Sequence, residues 1–132
     1  MSEQESHRFL QERSNLLVQT LREQLTAQEN EIALLSAELS RYRKIEQLQA
    51  RRLELNHRWM REFNAPSAVK PYWQFELIDF IRDKAGYDPV NEIFFTTLIQ
   101  ITFGKEGLDL LTEIMELQNK IVKLECGEYV AE

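Results

Sequence analysis

The sequence predicts an all-α protein in which a long N-terminal coiled-coil helix precedes a small three-helix unit. Residues 1–63 contain neither proline nor glycine, and apolar residues return within them at alternating three- and four-residue steps. Denser amphipathic segments follow a connector that contains two prolines. At 43% hydrophobic and 29% charged residues, the 132-residue chain is too apolar to be disordered.

The long helix has a clear start signal and a clear end signal. Ser2 and Glu5 have the spacing of a capping box, in which each side chain bonds the backbone N–H of the other residue. The helix should end near Phe63, because prolines occur at positions 66 and 71. These signals predict three segments: a coiled-coil oligomerisation helix (1–63), a proline-bearing linker (64–71) and a compact helical domain (72–132).

One face of the long helix carries an apolar row, which we call the seam. It consists of Val18, Leu21, Leu25, Ile32, Leu35, Leu39 and Tyr42, with polar Gln28 in the same heptad frame. A helix of roughly 90 Å is too long to be covered by the rest of its own chain. We therefore expect self-association, as a parallel homodimer through residues 10–42. β-Branched residues at two a positions, with leucine at most apolar d positions, favour two strands, whereas leucine at the other two a positions weakens this preference and leaves higher oligomers open. The sequence also leaves antiparallel pairing open.

The heptad frame changes after Tyr42. Ile45, Leu48, Leu55 and Trp59 keep heptad-like spacing in a frame shifted by three residues. We interpret this shift as a change of partner near residue 45, from a twin helix to the C-terminal helices. The shared core is expected to contain Trp59, Met60, Phe63, Trp73 and Phe75.

Three further helices are predicted after the connector. Residues 72–84 are amphipathic and Gly86 follows them, while Asp88, Pro89 and Glu92 indicate a helix start that leads to about Phe103. Within 90–103, alternating β-branched and aromatic residues fit a strand nearly as well. Residues 104–107 form the predicted turn into a last helix, from 108 to about 125. Its principal apolar row, for packing or for an interface, is Leu110, Ile114, Leu117, Ile121 and Leu124.

Charge is unevenly distributed. Residues 1–40 carry a net charge of −4, residues 41–61 of +5, and residues 62–132 of −7. The basic band consists of Arg41, Arg43, Lys44, Arg51, Arg52, Arg58 and Arg61. These side chains are candidate contacts to a partner or to phosphates, and the alternative is a solvated face or pairing with the acidic segments.

No enzymatic or metal-binding pattern is present in the sequence. His7 and His57 are far apart and Cys126 is remote from both, so no metal-ligand spacing exists. Gly104 and Gly107 lack the Lys-Ser/Thr pair of a phosphate-binding loop. We therefore expect a non-enzymatic protein without a cofactor, a metal or a small-molecule substrate.

These observations predict a homo-oligomeric coiled-coil adaptor or scaffold that docks a partner protein through its C-terminal helical unit. The acidic start, the interrupted apolar runs and the single cysteine predict an intracellular, cytoplasmic protein that does not enter a membrane. Two alternatives remain at this point. One is a small nucleic-acid-binding regulator that uses the basic band, and the other is an acidic inhibitor of a nucleic-acid-binding protein.

Overall fold

The computed structural model describes residues 2–127, and the regular secondary structure of these residues is entirely helical. The elements are α1 (Glu3–Glu62), α2 (Trp73–Ala85), a 3₁₀ turn (Pro89–Asn91) and α3 (Phe95–Glu125). The described residues contain no strand, so the all-α prediction is confirmed. Residues 128–132 of the predicted C-terminal domain lie outside the described part of the chain.

Two predicted helix caps are present. The backbone N–H of Glu5 donates to Ser2 Oγ at 3.2 Å, and the backbone N–H of Ser2 donates to Glu5 Oε2 at 3.4 Å. Gly86 ends α2 in the left-handed conformation, with φ 73°, and its N–H donates to the carbonyl of Arg82. These ends depend on residues close together in sequence, which is why the sequence predicts them.

The predicted helix start at Asp88 is wrong. Pro89–Asn91 form a single 3₁₀ turn, and α3 begins at Phe95 after Phe94, which has an extended backbone with ψ 142°. The Asp88 carboxylate makes no cap. It accepts hydrogen bonds from Arg82 Nε and Asn91 Nδ2, both at 2.9 Å. Residues 95–103 are helical, so the strand alternative for this part of the chain is excluded.

The predicted turn at 104–107 is reduced to one residue. Gly104, with φ 79° and ψ 176°, is the non-helical position inside α3, and it separates residues 95–103 from residues 105–125. A positive φ of this size favours glycine. Gly107 is instead buried within the helix, against Phe103 and Phe63.

The chain divides into two compact units, Met1–Tyr42 and Arg43–Glu132. The described part of the first unit is the N-terminal stretch of α1. The core of the second unit surrounds Trp59, which is 0% exposed. Its other buried side chains come from α1, the connector, α2 and α3: Leu55, Ala65, Ala68, Leu77, Ile81, Leu98, Ile99, Phe103, Leu110, Leu111 and Ile114.

The expected membership of this core is partly wrong. Phe63 and Trp73 are half-buried and pack against the cluster, as predicted. Met60 and Phe75 remain 40% and 66% exposed. A smaller cluster joins Ile45 to Ile121 and Leu124, with Leu48 packed against it. Packing of α1 on a C-terminal helix from about residue 45 is therefore confirmed, whereas the twin helix before this point stays a prediction.

The connector 64–71 does not separate the two compact units. It packs inside the second unit, where Ala65, Ser67 and Ala68 are buried. Trp59 Nε1 donates a hydrogen bond to the carbonyl oxygen of Pro66 at 2.9 Å. The division falls instead between Tyr42 and Arg43, at positions that carry neither proline nor glycine.

Candidate interaction surfaces

The seam residues are all exposed in the described chain. Their exposed fractions run from 42% for Val18 to 63% for Ile32. The other five, between these limits, are Leu21, Leu25, Leu35, Leu39 and Tyr42. An apolar row without a cover, interrupted by Gln28, is unusual for a surface that faces water alone, and it is typical of an interaction site.

Exposure alone does not define the seam. Leu16 and Leu34 are more exposed, at 64% and 72%, yet they lie outside the a and d positions of the heptad frame. Single exposed apolar residues are common on protein surfaces. The heptad spacing distinguishes the seam from these two leucines, which therefore provide matched controls for substitutions in the seam.

The basic band is partly neutralised by neighbouring carboxylates. Arg51 lies 3.3 Å from Glu54 and 3.7 Å from Glu113 of α3, measured between nitrogen and oxygen atoms. Arg58 lies 3.1 Å from Glu62. Arg41 similarly lies 3.7 Å from Glu38. These exposed pairs contribute little to stability, but they reduce the positive charge available to a polyanion.

Arg52 differs from the rest of the band. It is half-buried, and its Nε atom is buried with no hydrogen-bond partner among the described residues. Arg52 lies in the same row of α1 as Ile45, Leu48, Leu55 and Trp59. This row includes the buried apolar side chains of α1. Of the remaining members of the band, Arg43 and Arg61 are exposed and Lys44 is half-buried.

The principal apolar row of α3 is used for internal packing. Leu110, Ile114, Ile121 and Leu124 are buried, and Leu117 is half-buried against the main core. The adjoining face is different. Met115 and Val122 are 42% and 43% exposed, so α3 presents apolar surface to solvent at these two positions.

A groove of about 410 Å³ lies beside Met115 in the second unit. Its lining comes from the connector, the start of α2 and the middle of α3: Ala68, Val69, Lys70, Pro71, Tyr72, Trp73, Gln74, Ile114, Met115, Gln118 and Asn119. A second groove of about 280 Å³ shares Met115 and Asn119 with it and is lined further by Phe95, Ile99 and Leu108. The lining of the first groove combines apolar side chains with the amide groups of Gln74, Gln118 and Asn119 and with Lys70, and such a mixture can hold a side chain of a partner.

Two exposed aromatic residues are associated with the first groove, one in its lining and one beside it. Tyr72, 75% exposed, lines the groove, and Phe75, 66% exposed, lies on α2 with its ring centroid 6.4 Å from that of Tyr72. Tyr72 has φ 62°, a left-handed conformation that is rare for an aromatic residue and that stores strain. This surface was not predicted from the sequence. Its only local signal is an aromatic pair directly after Pro71.

The described residues contain no group of His, Cys, Asp or Glu side chains arranged to hold a metal ion. Between residues 2 and 127, none of the helices is both long enough and apolar enough to cross a membrane. No protein family, curated protein or solved structure matches this chain.

Proposed function

We propose that the protein is a non-enzymatic homodimeric coiled-coil adaptor, which pairs through the seam and docks a partner protein on its second unit. The uncovered seam carries this proposal. Burial of one leucine side chain contributes about 1.5–3 kcal/mol, and seven seam residues in each chain act together. That sum is large enough to offset the entropic cost of association.

Charges beside the seam favour a parallel pair. In a parallel dimer each g position meets the following e position of the other chain. Glu38 then faces Arg43 of the second copy, and the pairs formed by Gln24 and Glu31 involve no like charges. An antiparallel pair that overlaps residues 18–42 completely would oppose Glu29 to Glu29 and Glu31 to Glu31. Gln28, at a d position, supplies one polar layer that disfavours shifted registers.

The docking role is supported by the two grooves that share Met115 and by the exposed aromatic residues Tyr72 and Phe75. Large aromatic side chains with little conformational freedom are the residues that most often dominate binding energy at protein interfaces. The amide groups of Gln74, Gln118 and Asn119 line the groove and can orient a bound segment of a partner protein.

Sedimentation of the full chain at micromolar concentration tests the pairing. We expect a dimer for the wild type and a monomer for the double variant Leu25→Asp and Leu35→Asp, because two pairs of charges would be buried in the interface. The matched control is Leu16→Asp with Leu34→Asp, which adds the same charge off the seam and should remain dimeric. A monomeric wild type would contradict the proposal.

The docking role is tested separately by affinity purification from the native host. Tyr72→Ser with Phe75→Ser should lose a protein that the wild type retains, while the dimer mass stays unchanged. Phe94→Ser is the control, since Phe94 is 88% exposed and does not line either groove. Equal retention by both variants would remove the docking role from this surface.

A further inference from the structure

A second apolar row continues the seam into the second unit. Counted in the frame of Leu39, the next a positions are Glu46, Leu53 and Met60. Leu53 is 49% exposed and Met60 is 40% exposed. These two are the only large apolar side chains between Arg43 and Glu62 that are strongly exposed, and both fall on the frame of the seam.

The shift of the heptad frame at residue 45 therefore arises because two faces of α1 carry different apolar rows, one buried in the second unit and one exposed. α1 is an α-helix without interruption from Glu3 to Glu62. Ile45, Leu55 and Trp59 are buried in the second unit. The a positions 46, 53 and 60 each come one residue after positions 45, 52 and 59, which places them about 100° away around the helix axis. Packing on α3 thus leaves the row of Leu53 and Met60 free.

We propose that the seam continues past Tyr42 to Leu53 and Met60, and that the second copy of this chain occupies it. This inference rests on the homodimer proposed above. The occupant is the second copy because the row is in phase with the seam. A parallel, in-register twin presents Leu53 to Leu53 and Met60 to Met60, whereas the antiparallel overlap would place His7 opposite Leu53.

Charge is consistent with the same occupant at the point where the units divide. Arg43, at an e position directly after Tyr42, is exposed and meets Glu38 of the second copy in the parallel pair. Glu46, the next a position, is exposed and forms the weakest layer, since two carboxylates would face each other there. The continuation therefore contains one unfavourable layer, of Glu46, and one polar layer, of Gln49, between the layers of Tyr42 and Leu53.

The far end of the row is bounded by the connector. Asn56, the d position between Leu53 and Met60, is only 2% exposed and is bonded to connector atoms. Its Nδ2 also lies 3.5 Å from Met60 Sδ. The twin helix thus contacts the a positions at this end, and the connector covers the d position.

Two variants with opposite expected effects test the continuation. Glu46→Leu replaces the unfavourable layer by an apolar one and should lower the dimer dissociation constant about tenfold or more. Leu53→Asp should raise it by a similar factor. Because Leu53 is half exposed, its replacement should leave the helical content unchanged, and misfolding cannot mimic the gain expected from Glu46→Leu. Leu34→Asp is the control and should leave the constant unchanged.

Dissociation constants from sedimentation of the full-length variants decide the outcome. Tighter pairing by Glu46→Leu together with weaker pairing by Leu53→Asp supports the continuation. Wild-type affinity in both variants would overturn the continuation. The homodimer itself would still be supported in that case if Leu25→Asp with Leu35→Asp dissociates the dimer. A monomeric wild type would overturn both proposals together.

Discussion

Asn56 of α1 holds Ala68 of the connector across eleven intervening residues. The backbone N–H of Ala68 donates to Asn56 Oδ1 at 2.7 Å, and Asn56 Nδ2 donates to Ser67 Oγ at 3.1 Å. Asn56 is 2% exposed, so these bonds lie out of contact with water. They tie the proline-bearing segment to the helix and explain why it belongs to the core of the second unit.

Replacing Asn56 by alanine should destabilise the protein by about 2–4 kcal/mol, because buried polar groups of the connector lose their partners. Urea denaturation of the full chain, followed by circular dichroism at one protein concentration, measures this loss. Asn119→Ala is the control, since Asn119 is exposed on α3 and should change stability by less than about 0.5 kcal/mol. Equal midpoints for the two variants would contradict a structural role for Asn56.

Gly107→Ala should be destabilising, although alanine is ordinarily better than glycine inside a helix by roughly 0.5–1 kcal/mol. A Cβ atom at position 107 would lie 2.5 Å from Phe103 Cβ and 3.3 Å from Phe63 Cε1. Relief of this overlap requires movement of packed aromatic groups, at a cost of about 1–3 kcal/mol.

The packing cost therefore outweighs the gain in helix propensity at Gly107. Thermal melts of the full chain should show a lower midpoint for Gly107→Ala than for the wild type. The exposed helix position Lys120 provides the comparison, since Lys120→Ala lacks any packing penalty. A higher midpoint for Gly107→Ala would show that the helix relaxes freely around the added methyl group.

Arg52→Met should stabilise the second unit by about 1 kcal/mol or more, because it removes a buried nitrogen without a hydrogen-bond partner and keeps a long apolar stem. Methionine and arginine have similar helix propensities, so this term cancels. Chemical denaturation measures the change. The exposed Arg61→Met is the control and should alter stability little. A loss of stability in Arg52→Met would show that the guanidinium group makes a net favourable contribution.

The basic band should not bind nucleic acid. Arg51 and Arg58 are paired with carboxylates, and the segments before and after the band carry net negative charge. Fluorescence anisotropy with labelled duplex and single-stranded probes should show no submicromolar binding. Replacement of Arg51, Arg52 and Arg58 by glutamate should leave this result unchanged.

The opposite result has a specific signature. Phosphate contacts would give affinity that falls as a steep power of salt concentration, with a slope lowered by about one for each lost contact. The triple glutamate variant would abolish such binding. Glutamate at Lys105, Lys120 and Lys123 changes the net charge equally and would preserve it, because these exposed lysines lie outside the band.

Features that depend on neighbouring residues could be predicted from the sequence. The capping box of Ser2 and Glu5 and the left-handed end of α2 at Gly86 each involve residues within one or two turns. The seam could be identified for the same reason, since heptad spacing is a property of one helix. Its residues are exposed in the described chain, while its pairing remains a proposal to be tested.

The sequence by itself determined the helical class, the long α1 and the apolar row along it, because backbone hydrogen bonds, caps and periodicity are local. Only the tertiary structure decided which face of α1 packs on α3, since Ile45 meets Ile121 and Leu124 from far along the chain. It also decided that the connector is part of the core. Prolines predict only that a helix stops, whereas the Asn56 bonds to Ser67 and Ala68 depend on how the chain folds back.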